Sequence, residues 1–280
     1  MKDNFCYFNG DIIRFNEIVI SPYDLGFVRG YGIFDAMRTA NGIPFCFNEH
    51  WSKLELSAKN LGLRIPVSKL EFKEIINILF KKNNFKEMAI KTVLTGGESE
   101  NGFTRANMPT FMIIVDELDK FCASQDLYKF GCKVIFCEYQ RFLPEIKTLN
   151  YLEPLRIQVQ RDKENAQEIL YKKDGNVLEC STSNIFMVKD GKLITPLKDV
   201  FLGTMRNLII EIAKKNDIQV EEREISLVEF LEADEIFLAA TYKKIIPVTN
   251  IDGNILRGKV IGKTTTKLMR LVNEFIESYA

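Results

Sequence analysis

The chain has 280 residues, enough for one large domain or two of ordinary size. Hydrophobic residues make up 46% and charged residues 27%, a globular balance, and Lys plus Arg equals Asp plus Glu at 38 each. That neutrality gives no electrostatic case for a nucleic-acid or membrane partner. Six cysteines without a C-x-x-C pair, and the single histidine His50, argue against a structural zinc site and against a disulfide framework. The opening MKDNFCYFNGD lacks a signal-peptide apolar region and no run approaches a membrane span, so a cytoplasmic location is expected.

Along the chain, FCYFNGDIIRF carries Asn9-Gly10 between apolar runs, a type I′ hairpin signal, and GYGIFDAMRTANGIPFCF repeats it at Asn41-Gly42. A helix is expected from an N-cap near Asn48, with Trp51, Leu54, Ala58 and Leu61 at helical spacing. Ser68 with Glu71 three residues on forms a capping box for a second helix. EMAIKTVLTGG and PTFMIIVD read as buried strands, and DELDKFCASQDLY, residues 116–128, as a polar linker.

Beyond it, GCKVIFCEY is a strand. Leu149, Leu152, Leu155 or Arg156, and Val159 mark a helix after Lys147. Hairpins are expected at Asp174-Gly175, Asp190-Gly191 and in IDGNIL. GTMRNLIIEIAKKNDI and GKTTTKLMRLVNEFIESY read as helices and ADEIFLAAT as a strand. The fold class is therefore α+β, without the strict strand–helix alternation of a doubly wound sheet. The expected division is an N-terminal α/β domain over 1–115, the linker over 116–128 and a C-terminal domain over 129–280.

Lys147, in PEIKTLNYLE, is one of many lysines, and most lysines are solvated. Its downstream pattern sets it apart: Asn150-Tyr151-Leu152, then Glu179 in LECSTSNIFMVKDGKLITP, then FLGTMRNLI, LEADEIFLAAT and IIPVTNIDG. With DLGFVRGYGIFDAMRT and FNEHWSKL upstream, this ordered set resembles the class IV (fold type IV) pyridoxal-phosphate enzymes. These include the branched-chain and D-amino-acid aminotransferases and aminodeoxychorismate lyase. The resemblance covers most of the chain and implies a two-domain, D-amino-acid-aminotransferase-like fold. Mixed or antiparallel sheets with helices would place the active site between domains, in a homodimer.

The resemblance implies pyridoxal 5′-phosphate as cofactor and a role for each matching residue. Lys147 would form the Schiff base and move the substrate's α-proton, which a desolvated primary amine can do. Glu179 would face the pyridine nitrogen and keep it protonated. Gly203, Thr204 and the backbone of Met205, at a helix start, would hold the phosphate, since orphan N–H donors and the helix dipole favour an anion there. Thr241 would add a hydroxyl, Leu202 would pack on a ring face, and Tyr151 would bond the phenolic oxygen or flank the lysine.

Departures from the family pattern bear on affinity and specificity. Lys53 stands where an arginine usually clamps the phosphate, and it lacks the bidentate fork. Met205 replaces a common threonine, and Ala240 replaces a small hydroxyl residue or glycine. Both changes point to looser cofactor retention. Thr95-Gly96-Gly97 stands where D-amino-acid members carry Thr-Arg-Gly, so another cation must bind a substrate carboxylate; Arg29, Arg38 and Lys91 are the candidates. Tyr31 and Phe34 give an aromatic lining. His50, without evident partners, reads as structural.

The resulting expectation is a ping-pong transaminase acting on α-amino acids and 2-keto acids, with D-amino acids slightly favoured. Branched-chain L-amino-acid transamination, aminodeoxychorismate lyase activity and a non-catalytic small-molecule binder that kept the fold are the alternatives.

Overall fold

The computed structural model describes residues 3–255 and 261–280. The chain divides into two compact units. The first takes residues up to Phe121 together with Ile146–Asn150 and Tyr279–Ala280; the second takes Cys122–Glu145 and Tyr151–Ser278.

The first unit contains β1 (Phe5–Phe8), β2 (Asp11–Arg14), α1 (Leu25–Arg29), β3 (Gly32–Ala40), β4 (Ile43–Pro44), α2 (Phe47–Leu61), α3 (Lys69–Asn83), β5 (Met88–Thr95) and β6 (Phe111–Glu117). Its strands pair in the order β2-β1-β6-β5-β3-β4, antiparallel throughout, so the expected α/β character is corrected to α+β. The register sets Ile33 opposite Leu94 and Met37 opposite Ile90 on one face. There they pack with Trp51, Leu54 and Ala58 of α2 and Phe72, Ile76 and Leu79 of α3. Side chains alternate along strands, so Phe34, Ala36, Arg38 and, in register with Ala36, Lys91 share the opposite face.

The second unit contains α4 (Gln125–Phe130), β7 (Cys132–Glu138), α5 (Leu152–Lys163), β8 (Glu168–Lys173), β9 (Asn176–Cys180), β10 (Asn184–Lys189), β11 (Lys192–Thr195), α6 (Thr204–Lys215), β12 (Val220–Glu222), β13 (Ile225–Ser226), α7 (Leu227–Leu231), β14 (Glu235–Ala240), β15 (Lys244–Ile251), β16 (Asn254–Ile255) and α8 (Lys263–Glu277). Its strands form one mixed sheet, β12-β11-β10-β14-β15-β7-β8-β9-β13, with β16 beside β15. The β15–β7, β7–β8 and β11–β12 pairs are parallel.

Local chemistry explains most element boundaries. In all five expected hairpin turns the Asn-Gly or Asp-Gly pair has positive φ at both residues, from Asn9 at 48° to Asp252 at 47° with its Gly253 at 86°. Leu256 of the last hairpin lies outside the described residues. The Ser68/Glu71 capping box is present on α3. By contrast, α2 begins before Asn48: its N-cap is Cys46, whose backbone N–H donates to the Tyr279 hydroxyl at 2.9 Å.

One expectation is corrected and one is refined. The division between units falls within residues 116–128, but this stretch is no bare linker: β6 reaches Glu117, a 3-10 turn covers Leu118–Phe121 and α4 starts at Gln125. The helix expected after Lys147 is present as α5 but starts only at Leu152; of the residues that marked it, Leu152, Leu155 and Val159 are exposed, while Ile157 is buried. No helix among the described residues is long and apolar enough to cross a membrane.

Candidate active site

Lys147 is held by its main chain. Its carbonyl accepts from the Phe34 N–H at 2.9 Å, and the Leu149 N–H donates to the Gly32 carbonyl at 2.9 Å, joining residues 147–149 to the edge of β3. Gly32 makes this approach possible, because a Cβ there would lie 2.7 Å from Leu149 Cδ1. Ile146 and Thr148 are buried on either side, so the backbone is fixed while the half-buried Lys147 side chain projects from the edge. Its Nζ stands 5.7 Å from the centre of the Phe34 ring.

The next strand residue, Asp35, points to the helix-covered face and meets His50 of α2, with 2.7 Å between Oδ2 and Nδ1. Burial pushes the Asp35 carboxyl up. The His50 charge and hydrogen bond, and then Lys147, outweigh burial and hold it below the usual carboxylate range. His50 thus has the carboxylate partner that the sequence reading did not supply. Its Nε2 is buried and has no hydrogen-bond partner among the described residues.

Of the expected substrate residues, Phe34, Lys91 and Arg38 share one face, and Lys91 Nζ also lies 5.7 Å from the Phe34 ring centre. Arg38 is buried and donates to the Thr39 carbonyl at 3.0 Å. Arg29 is engaged elsewhere: Nε donates to the Gly102 carbonyl at 3.0 Å and the guanidinium covers Phe103 at 4.2 Å. The Tyr31 hydroxyl donates to the Leu61 carbonyl. Its ring explains the missing arginine, because a Cβ on Gly96 would sit 2.4 Å from Tyr31 Cδ1. Lys53, on α2, has a buried ammonium.

In the second unit the structure gathers Glu179, Leu202, Gly203 and Thr204 around Phe201. Glu179, the penultimate residue of β9, has both oxygens engaged: Oε2 accepts from the Phe201 N–H at 3.1 Å and Oε1 from Arg141 Nη1 at 3.1 Å. The Phe201 carbonyl accepts from Asn184 Nδ2 at 2.6 Å and from the Gly203 N–H at 3.0 Å. This bends the chain into the N-terminus of α6. Gly203 is required by space, since a Cβ would lie 2.4 Å from Asn184 Oδ1. Leu202 is 39% exposed, leaving a surface for packing, whereas the Met205 side chain belongs to the core and only its backbone is available. Thr241 is half-buried in the turn after β14. Tyr151 sits beside the same charges: burial pushes its hydroxyl pKa up, Arg141 draws it down, and Glu179 raises it.

Arg141 is a charged residue that the sequence reading misses. It lies six positions before Lys147 in an irregular segment, and no spacing rule links it to Glu179.

These residues fit pyridoxal phosphate. Among the described residues the α6 N-terminus has no side-chain cap, and the Thr204 hydroxyl is buried without a hydrogen-bond partner. Unused N–H donors beside an unsatisfied hydroxyl suit a phosphate. The buried Glu179 carboxylate can accept one more hydrogen bond, which suits a protonated ring nitrogen.

Residues 32–251 match the amino-transferase class IV family model. A D-alanine aminotransferase of Listeria monocytogenes serotype 4b is 31% identical over 276 residues, spanning 96% of each chain. A Methanocaldococcus jannaschii protein, provisionally named a branched-chain-amino-acid aminotransferase, is 30% identical over 267 residues, spanning 94% of this chain and 93% of its own. Among solved structures, an Escherichia coli branched-chain amino acid aminotransferase has the same fold with a TM-score of 0.89 at 23% identity, covering 98% of this chain and 95% of that one. The chain belongs to the class IV aminotransferases, pyridoxal-phosphate-dependent transaminases.

Proposed function

We propose that the protein transfers the amino group of a D-amino acid to a 2-keto acid in a ping-pong cycle, with Lys147 as the reacting amine. The observation that carries the reading is the uncapped α6 N-terminus, whose buried Thr204 hydroxyl has no hydrogen-bond partner among the described residues and follows three positions after the Phe201 N–H that holds Glu179. The D-alanine aminotransferase relatives support the choice of handedness.

Pyridoxal phosphate, when bound, supplies an aldehyde that captures amino groups and a ring that accepts the electrons left when the α-proton departs. Lys147 supplies the amine that holds the cofactor between turnovers and carries that proton. Phe34 gives its ammonium an aromatic face in place of water. Glu179, oriented by Arg141 and the Phe201 N–H, keeps the ring nitrogen protonated. The first-turn N–H groups of α6 and the hydroxyls of Thr204 and Thr241 hold the phosphate, with Lys53 as the cation. Tyr151 serves the phenolic oxygen and Leu202 packs on the ring. Lys91, over the same ring as Lys147, is the preferred cation for the substrate carboxylate, ahead of Arg38 and the engaged Arg29.

A homodimer goes with this reading. The exposed Leu152, Leu155 and Val159 stripe on α5 is an apolar surface that a second copy would cover, and light scattering should give twice the chain mass.

The deciding test is a panel of D- and L-amino acids with pyruvate or 2-oxoglutarate as acceptor. The expected result is kcat/KM for D-donors about tenfold or more above their L-enantiomers, a difference of about 1.4 kcal/mol. Preference for L-leucine or L-valine would install the branched-chain reading, which the Methanocaldococcus relative favours. Pyruvate release without any acceptor would mark lyase chemistry.

A further inference from the structure

The loop Ser181–Thr182–Ser183, between Glu179 near the end of β9 and strand β10, is organised by one buried carboxylate. Glu168, at the start of β8, is 1% exposed. It accepts from Ser181 Oγ at 2.5 Å, Ser183 Oγ at 2.8 Å, the Thr182 N–H at 3.3 Å and the Thr182 hydroxyl. Burial penalises the ionised form of this carboxylate, and those donors together with a nearby positive charge offset the penalty.

Lys243 supplies that charge from another loop. Its Nζ donates to Glu168 Oε1 at 2.6 Å and to Thr182 Oγ1 at 2.8 Å. The backbone helps to aim it, since the Lys243 carbonyl accepts from the Tyr128 hydroxyl at 2.9 Å. The next residue, Lys244, has a left-handed φ of 56° and is anchored by its Nζ donating to Asn273 Oδ1 at 2.7 Å. Other titratable groups that sense Glu168 are the Cys132 and Cys180 thiols and the Tyr151 and Tyr171 hydroxyls, whose pKa values burial first, with Glu168 adding to it, pushes up; the Cys132 value reaches about 12. None of these offers a cation. Burial pushes the Glu168 carboxyl up, and Lys243 with the loop donors more than reverses this.

We propose that Lys243 is a positioning residue: by pairing with Glu168 it fixes the Ser181–Ser183 loop against the β14–β15 turn and so sets the places of Glu179 and Thr241 for the cofactor. The proposal rests on the cofactor roles given above for those two residues. Thr241 stands two positions before Lys243 in the turn, and Glu179 stands two positions before Ser181, so one ion pair constrains both. Lys243 acts through Glu168, with its Nζ engaged by Glu168 and Thr182.

The test is titration of cofactor-free protein with pyridoxal phosphate, followed by visible absorbance. Lys243→Met is expected to raise Kd about tenfold, and Lys243→Arg, which keeps the charge, to stay within about threefold of wild type. The double variant Glu168→Gln/Lys243→Met removes both charges of the pair. It is expected to melt near wild type without cofactor, yet to bind pyridoxal phosphate no better than Lys243→Met alone. A purely structural role would restore affinity together with stability. Binding within about twofold of wild type by Lys243→Met or, where that chain does not fold, by the double variant overturns the proposal. Borohydride reduction of the wild type separates the two readings. Cofactor mass fixed on Lys147 leaves the cofactor assignment standing whatever Lys243 does, and absence of that mass overturns both.

Discussion

The two units hold their polar groups by different means. In the first, side chains on and beside an antiparallel sheet present them: Lys147 at the β3 edge, Phe34 facing its ammonium and the Asp35–His50 pair on the opposite face. In the second, the main chain does much of the holding: the α6 N–H groups, the Phe201 N–H on Glu179 and the close approach allowed by Gly203. The first unit is therefore sensitive to which residue stands at a position. Space matters in both, at Gly32 in the first and Gly203 in the second, but in the second the main chain itself also supplies the donors.

The sharpest break of this comparison is Lys147→Ala. The side chain is half-buried, and main-chain hydrogen bonds to Phe34 and Gly32 hold the segment to β3, so the fold should persist with its melting temperature within a few degrees. Turnover should fall by about 10⁴-fold or more, because no neighbour can replace the amine as both anchor and proton carrier. Single-turnover absorbance with a D-amino acid checks it. Residual turnover near wild type would move the reacting amine to another lysine.

A smaller effect tests the second unit through shape alone. Gly203→Ala places a methyl 2.4 Å from Asn184 Oδ1, and Asn184 cannot retreat without loosening its 2.6 Å bond to the Phe201 carbonyl. The expected cost is about 1–3 kcal/mol of stability. Kd for pyridoxal phosphate should rise about tenfold while kcat at saturating cofactor changes little. Unchanged affinity would show that the α6 N-terminus is not where the phosphate binds.

The same contrast explains what could be read in the sequence. Hairpins were legible because Asn-Gly and Asp-Gly pairs tolerate positive φ, and α3 because Ser68 and Glu71 form a local box. Glycine before a helix start marked the α6 N-terminus for the same local reason. Long-range partners were not legible. Arg141 reaches Glu179 across 38 positions, and Lys243 reaches Glu168 across 75, so no periodicity connects them. The grouping of Lys147 with the first unit depends on hydrogen bonds to β3, more than a hundred residues earlier, and on the missing Cβ of Gly32. The α5 spacing marked the helix, but helical periodicity shows only that an apolar face exists and leaves open what covers it.

The finest test concerns charge in the first unit. Asp35 has a folded-state pKa below its unfolded value, so its contribution is fully present above the unfolded carboxylate value, about 4, and is lost as pH falls through the folded one. Asp35→Asn keeps the shape and removes the charge beside His50 and Lys147. It should cost about 1–3 kcal/mol at pH 7, and the deficit should shrink as pH falls below about 4, where the wild type loses the same charge. Denaturant midpoints from pH 7 to pH 3 measure the convergence. Glu168 has the same sign of shift, so some acid dependence must remain in Asp35→Asn. Curves that stay parallel down to pH 3 would mean that Asp35 supports the fold through its hydrogen bond to His50 alone, and that its charge does nothing for the neighbouring amine.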